Sequence, residues 1–290
     1  MTAGKPTRWL AGAGLIVAVL LGVFYTLNRE THHFRFGGER FDYQLFQPPV
    51  LEGAELQPLL VMLHGYDGSG QELRDTSNMD AIAAANGFAV VYPQARRDKT
   101  GRAHWNANMH LSRRDDVGYL SGLVADLLQR YPFDPDHVFV AGESNGGYMV
   151  YSLLCRSEGV FSAGASVMGT MSGADWKSCK PASPVPVLHI FGTADDVVSP
   201  KGAIEDMDGW GGAPEAGEVL WRWAQWNGAV RGEGETFYSD AQRLTYLRED
   251  GTLAAELITL EGMWHDWPAG YDTRADAAAL VVDFFKRAVP

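Results

Sequence analysis

Short apolar segments that alternate with amphipathic helical segments constrain the fold of this 290-residue chain most strongly. Five of them have the length and composition of buried strands: residues 59–63, 88–92, 138–141, 187–191 and 257–260. Helical spacing of apolar residues lies between or after them, at 78–86, 117–131 and 273–288. Strands that are apolar on both faces and separated by helices predict a mostly parallel sheet with helices on both faces. Two earlier runs, 34–36 and 43–46, predict an antiparallel hairpin at one edge.

The N-terminal segment has the character of a membrane helix. Residues 9–27 are uncharged and mostly apolar, and Lys5 and Arg8 precede them, which favours a cytoplasmic N-terminus and an exported remainder. The run ends without a small-x-small cleavage site, so an uncleaved signal anchor is the favoured interpretation and a cleaved signal peptide the alternative. We therefore assign residues 1–30 to a signal-anchor segment and 31–290 to one domain that faces the periplasm or exterior, or is secreted if cleavage occurs.

Composition excludes several classes of protein. The chain is 46% hydrophobic and 21% charged, as expected for a packed globular protein. A net charge of −12 lacks the basic surface that nucleic acids require, so we expect no nucleic-acid partner. The two cysteines, Cys155 and Cys179, allow either one disulfide or two buried thiols. They form no Cys-x-x-Cys pair, and His32-His33 has no evident third ligand, so no metal site is predicted.

The segment Gly142-Glu143-Ser144-Asn145-Gly146 matches the pattern G-x-S-x-G. It directly follows the strand-like run 138–141, and a helix-like segment follows it. A sharp turn from strand to helix holds such a serine in a strained conformation with its hydroxyl exposed, and the glycines let the two backbones approach. The pattern and its context therefore predict Ser144 as a nucleophile.

A serine hydroxyl needs a base within hydrogen-bond reach, and the base needs an acid that fixes its tautomer. In folds that carry this motif the chain order is serine, acid, histidine. His265 is the only histidine after residue 191, and it follows the run 257–260, so we predict it as the base. Asp195 and Asp196 both follow the run 187–191; we favour Asp195 as the acid and keep Asp196 as the alternative.

The negative oxygen of the tetrahedral intermediate needs preorganised donors. We predict the backbone N–H groups of Asn145, after the nucleophile, and of Tyr66, in the glycine-rich turn 64–70. His64 is expected to order that turn rather than to act in catalysis. Three tryptophans, Trp105, Trp264 and Trp267, are candidates for an aromatic substrate pocket.

These residues resemble the polyhydroxybutyrate depolymerase and feruloyl esterase group of α/β-hydrolases, including its single-domain LpqC-like members. The resemblance covers roughly residues 40–288 and rests on six segments: 63–69, 116–120, 142–147, 192–195, 223–228 and 265–268. It implies an α/β-hydrolase catalytic domain in residues 31–290, a triad of Ser144, Asp195 and His265, and a serine esterase that needs no cofactor. The substrate implied is a small-molecule or polymer-derived carboxylic ester, such as a feruloyl, acetyl or hydroxyalkanoate ester.

The chain also departs from this group. Phe191 stands where a histidine is often found, Gly-Met-Trp replaces Gly-Gly before His265, and Ala229 replaces a frequent cysteine. Two alternative functions therefore stay open. One is an oligopeptidase-type serine hydrolase, although this chain has no room for the large propeller domain that most of these carry. The other is a catalytically silent hydrolase fold that serves as a binding module.

Overall fold

The computed structural model describes residues 29–109, 111–203, 212–270 and 275–289. The predicted anchor helix at 9–27 lies outside these residues. Among the residues that are described, no helix combines the length and the hydropathy needed to cross a membrane.

Strands and helices alternate along the described chain, as the apolar segments predict. The strands are β1 (Thr31–Phe36), β2 (Glu39–Phe46), β3 (Gln57–Leu63), β4 (Ala89–Pro93), β5 (Phe133–Glu143), β6 (Ala163–Val167), β7 (Val187–Gly192), β8 (Arg231–Tyr238), β9 (Ala241–Leu247) and β10 (Leu253–Leu260). The helices are α1 (Gly70–Thr76), α2 (Met79–Asn86), α3 (Asp116–Arg130), α4 (Asn145–Arg156), α5 (Gly173–Ser178), α6 (Ala216–Trp226) and α7 (Ala277–Ala288).

The ten strands form one sheet in the order β1-β2-β4-β3-β5-β6-β7-β10-β9-β8. The six central strands, from β4 to β10 in that order, are all parallel to one another. Antiparallel strands flank them on both sides, with the β1–β2 hairpin at one edge and β9 and β8 at the other. The predicted fold class, a mostly parallel sheet with an edge hairpin, is confirmed.

Each face of the sheet is covered by its own apolar layer. On β5, Val138 and Val140 pack on one face with α3, α4 and α6, whereas Phe139 and Ala141 pack on the other with α2 and α7. This alternation is the reason that the central strands are apolar at every position, because each successive side chain meets a different helical layer.

Three strands were not predicted. β6 consists of Ala-Gly-Ala-Ser-Val, whose small residues give little hydrophobic signal, although the strand is fully buried between β5 and β7. β8 is the edge strand and exposes most of its side chains, and β9 beside it is mostly half-buried, so polar residues replace the apolar runs in both. A search for apolar segments misses both kinds of strand because it detects burial by large side chains rather than backbone pairing.

The two cysteines form a disulfide in the structure. Cys155 lies in the last turn of α4, and Cys179 follows α5 directly. The bond ties the short helix α5 to the helix that begins beside Ser144. Of the two states that the sequence leaves open, the structure has the bridge.

A buried histidine lies beneath the carboxyl edge of the sheet. His189 of β7 is 1% exposed, and the Tyr151 hydroxyl of α4 donates to its Nδ1 at 2.9 Å. Burial lowers the pKa of His189 from 6.5 to about 4, although a hydrogen bond with the Gly169 backbone opposes the shift. The folded protein therefore holds this imidazole neutral at pH values where the unfolded chain protonates it.

This difference predicts a pH dependence of stability. The stabilisation is fully present above pH 6.5, the ordinary value, and is lost as the pH falls toward about 4, because only the unfolded state binds the proton in that window. Between pH 7 and pH 5 the contribution of one such histidine amounts to about 2 kcal/mol. We expect the free energy of unfolding of the unmodified protein to fall between pH 7 and pH 5 by about 2 kcal/mol more than that of His189→Gln.

Urea unfolding at a series of pH values measures this difference. His33→Gln, at an exposed strand position, is the matched control for the substitution itself. Parallel pH curves for His189→Gln and the unmodified protein would contradict the prediction.

Candidate active site

Ser144 occupies the strained turn between β5 and α4. Its backbone has φ 52° and ψ −117°, a conformation that residues other than glycine rarely adopt. A hydrogen bond from Ser144 N–H to the Val167 carbonyl of β6, at 2.9 Å, holds it there. The strand, the turn and the helix therefore fix the direction of the hydroxyl before any ligand binds.

The two glycines of the motif are required by close backbone contacts. A Cβ at Gly142 would lie 2.4 Å from the Gly146 carbonyl carbon, and a Cβ at Gly146 would lie 2.1 Å from the Leu63 carbonyl oxygen. Both distances are far shorter than van der Waals contact. The first turn of α4 thus packs directly on the backbone of β3 and β5, as the motif predicts.

A continuous hydrogen-bonded chain links three of the predicted site residues. The Ser144 hydroxyl lies 2.9 Å from His265 Nε2, and His265 Nδ1 lies 2.8 Å from Asp195 Oδ2. The buried carboxylate accepts the Nδ1 proton, so the neutral ring presents its Nε2 lone pair to the hydroxyl. The arrangement can take a proton from Ser144 while the Asp195 charge stabilises the resulting imidazolium.

The structure distinguishes the two candidate aspartates. Asp195 is 4% exposed, and its Oδ1 accepts the backbone N–H groups of Val197 and Val198 at 3.0 and 2.8 Å. These bonds leave Oδ2 directed at His265. Asp196 is exposed to solvent, and the structure therefore brings Asp195 rather than Asp196 to the imidazole.

The loops that carry Asp195 and His265 are bonded to each other. The Ala194 N–H donates to the Met263 carbonyl at 3.1 Å, and the Gly262 N–H donates to the Thr193 hydroxyl at 2.9 Å. A Cβ at Gly192 would lie 2.1 Å from the same Met263 oxygen, so this close approach requires glycine. Asp195 and His265 are thus positioned as one unit after the neighbouring strands β7 and β10.

The turn after β3 lies against Ser144, as expected for the predicted oxyanion site. A Cβ at Gly65 would lie 3.5 Å from Ser144 Cβ. His64 orders this turn: its Nδ1 bonds the Gly65 carbonyl at 2.7 Å, and its Nε2 accepts the Ala95 N–H at 3.1 Å. Burial lowers the pKa of His64 to about 4, so the imidazole stays neutral in this role. The Tyr66 ring packs against the His104 ring on the outer side of the turn.

Trp105 connects the turn after β3 to Asn145. Its indole N–H donates to the His64 carbonyl at 2.9 Å, and its backbone N–H donates to the Asn145 side-chain oxygen at 2.7 Å. The Asn145 amide nitrogen donates back to the Trp105 carbonyl at 3.2 Å. Sequence reasoning missed this connection, because the two residues lie 40 positions apart and no local pattern links them.

The structure therefore corrects one prediction about the aromatic pocket. Trp105 is fully buried in the core, so it cannot line a substrate pocket as expected. Trp267 is 8% exposed and lines the cavity next to Ser144. Trp264 is 60% exposed, and among the described residues it is not part of that lining.

The cavity that holds Ser144 and His265 has a volume of about 670 Å³. The turn after β3, helix α1 and the loop 265–269 form its walls. Four of the described lining residues carry carboxylates: Glu72, Asp75, Glu143 and Asp266. Sequence reasoning treated Glu143 as the variable position of the motif and assigned it no role. Within the described chain, the cavity included, no group of three or more His, Cys, Asp or Glu side chains is arranged to hold a metal ion.

Comparison with known proteins identifies the family. The sequence profile described as "Esterase PHB depolymerase" matches residues 41–217, more than half of the chain. The chain belongs to the PHB depolymerase esterase family. Together with the esterases among its relatives, this membership makes it a carboxylic ester hydrolase.

Two relatives and one solved structure indicate the range of similarity. The chain is 28% identical to the candidate esterase NocK of Nocardia uniformis subsp. tsuyamanensis, over 77% of this chain and 68% of NocK. It is also 28% identical to feruloyl esterase B of Piromyces equi, over 55% of this chain but only 30% of that enzyme. The structure of an acetyl xylan esterase from Aspergillus awamori superposes with a TM-score of 0.65 at 16% identity, covering 89% of this chain and all of that one. This likeness shows an α/β-hydrolase-like esterase fold.

The geometry around Asp195 gives a prediction that separates the two aspartates. Asp195→Asn removes the charge that stabilises the imidazolium and leaves an amide to face His265, so kcat/KM for an aryl ester should fall by about three to four orders of magnitude. Asp196→Asn, which changes an exposed side chain, should alter it less than about threefold. A larger loss in Asp196→Asn than in Asp195→Asn, measured with p-nitrophenyl acetate, would contradict this geometry.

Proposed function

We propose that this chain is a serine esterase in which Ser144 is the nucleophile, His265 the general base and Asp195 its orienting acid. The observation that carries the proposal is the unbroken hydrogen-bonded chain from hydroxyl to imidazole to buried carboxylate. Ser144 and His265 line a cavity that is large enough for a small ester. Family membership supports the ester bond as the one cleaved.

The reaction follows from this geometry. Ser144 Oγ attacks the ester carbonyl while its proton passes to His265 Nε2, and the carbonyl oxygen becomes negative. The backbone N–H groups of Tyr66 and Asn145 are the proposed donors to that oxygen, a role supported by the contact of the Gly65 turn with Ser144. The carbon–oxygen bond to the alcohol then breaks, and His265 returns the proton to the leaving alkoxide.

A water molecule completes the turnover. His265 takes a proton from the water, whose oxygen attacks the acyl group on Ser144, and the collapse of the second intermediate releases the acid and restores the serine hydroxyl. Both halves of the reaction use the chain's own residues and require no cofactor.

Residues 31–290 form the catalytic domain in this proposal, and residues 1–30 anchor it to the membrane with the domain exported. The Cys155–Cys179 disulfide supports export, because such bonds persist mainly in oxidising compartments. The names of the relatives support acetyl and feruloyl esters as the first substrates to assay.

Removal of the nucleophile tests the proposal. Ser144→Ala should lower kcat/KM for p-nitrophenyl acetate by at least about three orders of magnitude and abolish labelling by a fluorophosphonate probe, because the triad acts as a unit. Ser178→Ala, at the exposed serine that ends α5, is the matched control and should keep both properties. Circular dichroism and thermal melting verify that each variant folds.

Three results would contradict the proposal or favour one of the alternative functions. A folded Ser144→Ala protein with full activity would mean that another residue is the nucleophile. An unmodified protein that neither reacts with the probe nor hydrolyses esters would be the silent binding module. Turnover of a peptide anilide in preference to p-nitrophenyl acetate would favour the oligopeptidase alternative.

A further inference from the structure

The walls of the cavity beside Ser144 carry more acidic than basic side chains. Its described lining includes Glu72, Asp75, Glu143 and Asp266, but no lysine or arginine. Asp75 is paired with Arg29 at 2.8 Å. Within the described chain the other three carboxylates have no ion-pair partner, so their charges act on whatever enters the cavity.

These three carboxylates surround the reacting groups. Glu143 directly precedes Ser144, and its Oε2 lies 4.0 Å from the position that a Cβ on Gly65 would take, beside the oxyanion turn. Glu72 approaches the same turn from α1, with its Oε2 3.8 Å from a Cβ built on Gly68. Asp266 follows His265 directly. All three carboxylates therefore line the same cavity as Ser144 and His265.

The carboxylates interact with one another and with the base. Burial raises the pKa of the Glu143 carboxyl, and the charges of Asp266 and Glu72 raise it further, whereas His265 lowers it. Such mutual effects require that the groups lie within Coulombic range across the cavity. A further negative charge placed among them would meet the same repulsion.

Resting on the proposed esterase function, we propose that Glu72, Glu143 and Asp266 make the cleft selective for charge. It accepts neutral and cationic esters and disfavours esters that carry a free carboxylate near the scissile bond. An acetyl ester is neutral on its acyl side and fits this selection. A hydroxyalkanoate dimer does not, because its free carboxylate lies one monomer away from the ester bond.

A matched series of esters tests the selectivity. The three probes share a six-carbon acyl chain and one leaving group: p-nitrophenyl hexanoate is neutral, mono-p-nitrophenyl adipate is anionic, and p-nitrophenyl 6-aminohexanoate is cationic. Each kcat/KM is divided by the rate of the same ester with imidazole, so that intrinsic reactivity cancels. Assays at about pH 8 and low ionic strength favour ionised carboxylates and limit the screening of their charges.

The adipate ester should have a normalised kcat/KM about tenfold or more below that of the hexanoate, mainly through KM, because three like charges act on it together. The 6-aminohexanoate ester should equal or exceed the hexanoate. High salt should shrink the ratio of hexanoate to adipate, since it screens charges near the surface.

Variants assign the effect to the named residues. We expect Glu143→Gln to move the ratio of hexanoate to adipate kcat/KM several-fold toward one. The double variant Glu72→Gln with Asp266→Asn should do the same. The double variant alters exposed side chains, so the test survives if Glu143→Gln fails to fold. Glu249→Gln, at an exposed turn outside the cavity lining, is the matched control and should leave the ratio unchanged.

The outcomes separate this inference from the esterase function. Failure to hydrolyse any of the three esters, together with no fluorophosphonate labelling, would overturn the proposed function itself. Hydrolysis of all three with equal normalised kcat/KM would overturn the charge selectivity and leave the esterase function intact. A ratio that neither the double variant nor salt alters would overturn it as well.

Discussion

The close crossing of α4 over the ends of β3 and β5 determines where the Ser144 hydroxyl lies. No Cβ fits at Gly142 or Gly146, since each would overlap the backbone of a neighbouring element. Ser144 is the single residue between the end of β5 and the start of α4, and it turns the chain with a positive φ. Such a conformation costs of order 1–3 kcal/mol, which the surrounding packing must offset. The bond from Ser144 N–H to the buried strand β6 is part of that compensation.

A parallel sheet brings the rest of the site to the same edge. Because β5, β7 and β10 run in one direction, the residues that follow them leave the sheet on one side, although 121 positions separate Ser144 from His265. Sheet geometry alone brings these loops only roughly together. The final placement comes from the bonds between the loops, in which the Met263 carbonyl packs over Gly192 and accepts the Ala194 N–H. The fold supplies proximity, and this contact supplies the hydrogen-bond distances.

The sequence predicts five of the six central strands and the three linked site residues, because both depend on local signals. Apolar runs mark the buried strands, and Ser144, Asp195 and His265 each come a few residues after the end of such a run. The choice of Asp195 over Asp196 depends on two backbone amides, those of Val197 and Val198, which no motif encodes.

Trp105 shows where sequence reasoning ends. A tryptophan in a loop of a hydrolase is as compatible with a substrate pocket as with the core, and the sequence gives no reason to prefer one. The difference lies in partners that are distant along the chain: the His64 carbonyl for the indole and the Asn145 amide for the backbone. The small residues of β6 and the exposed residues of β8 were missed for a related reason, since backbone pairing holds these strands in the sheet without large apolar side chains.

The histidines around the site differ in their surroundings. His64 and His189 are buried, and each has a pKa lowered to about 4, so both stay neutral while His64 orders the turn after β3 and His189 bonds to Tyr151. His265 differs because it lies partly open to the cavity, with a carboxylate on one nitrogen and a hydroxyl on the other. An imidazole that must accept a proton and release it within one turnover needs this combination of a stabilising anion and access to the substrate. The charge selectivity proposed for the cleft depends on the acidic side chains that share the cavity with His265, so one electrostatic field acts on both the imidazole and an incoming ester.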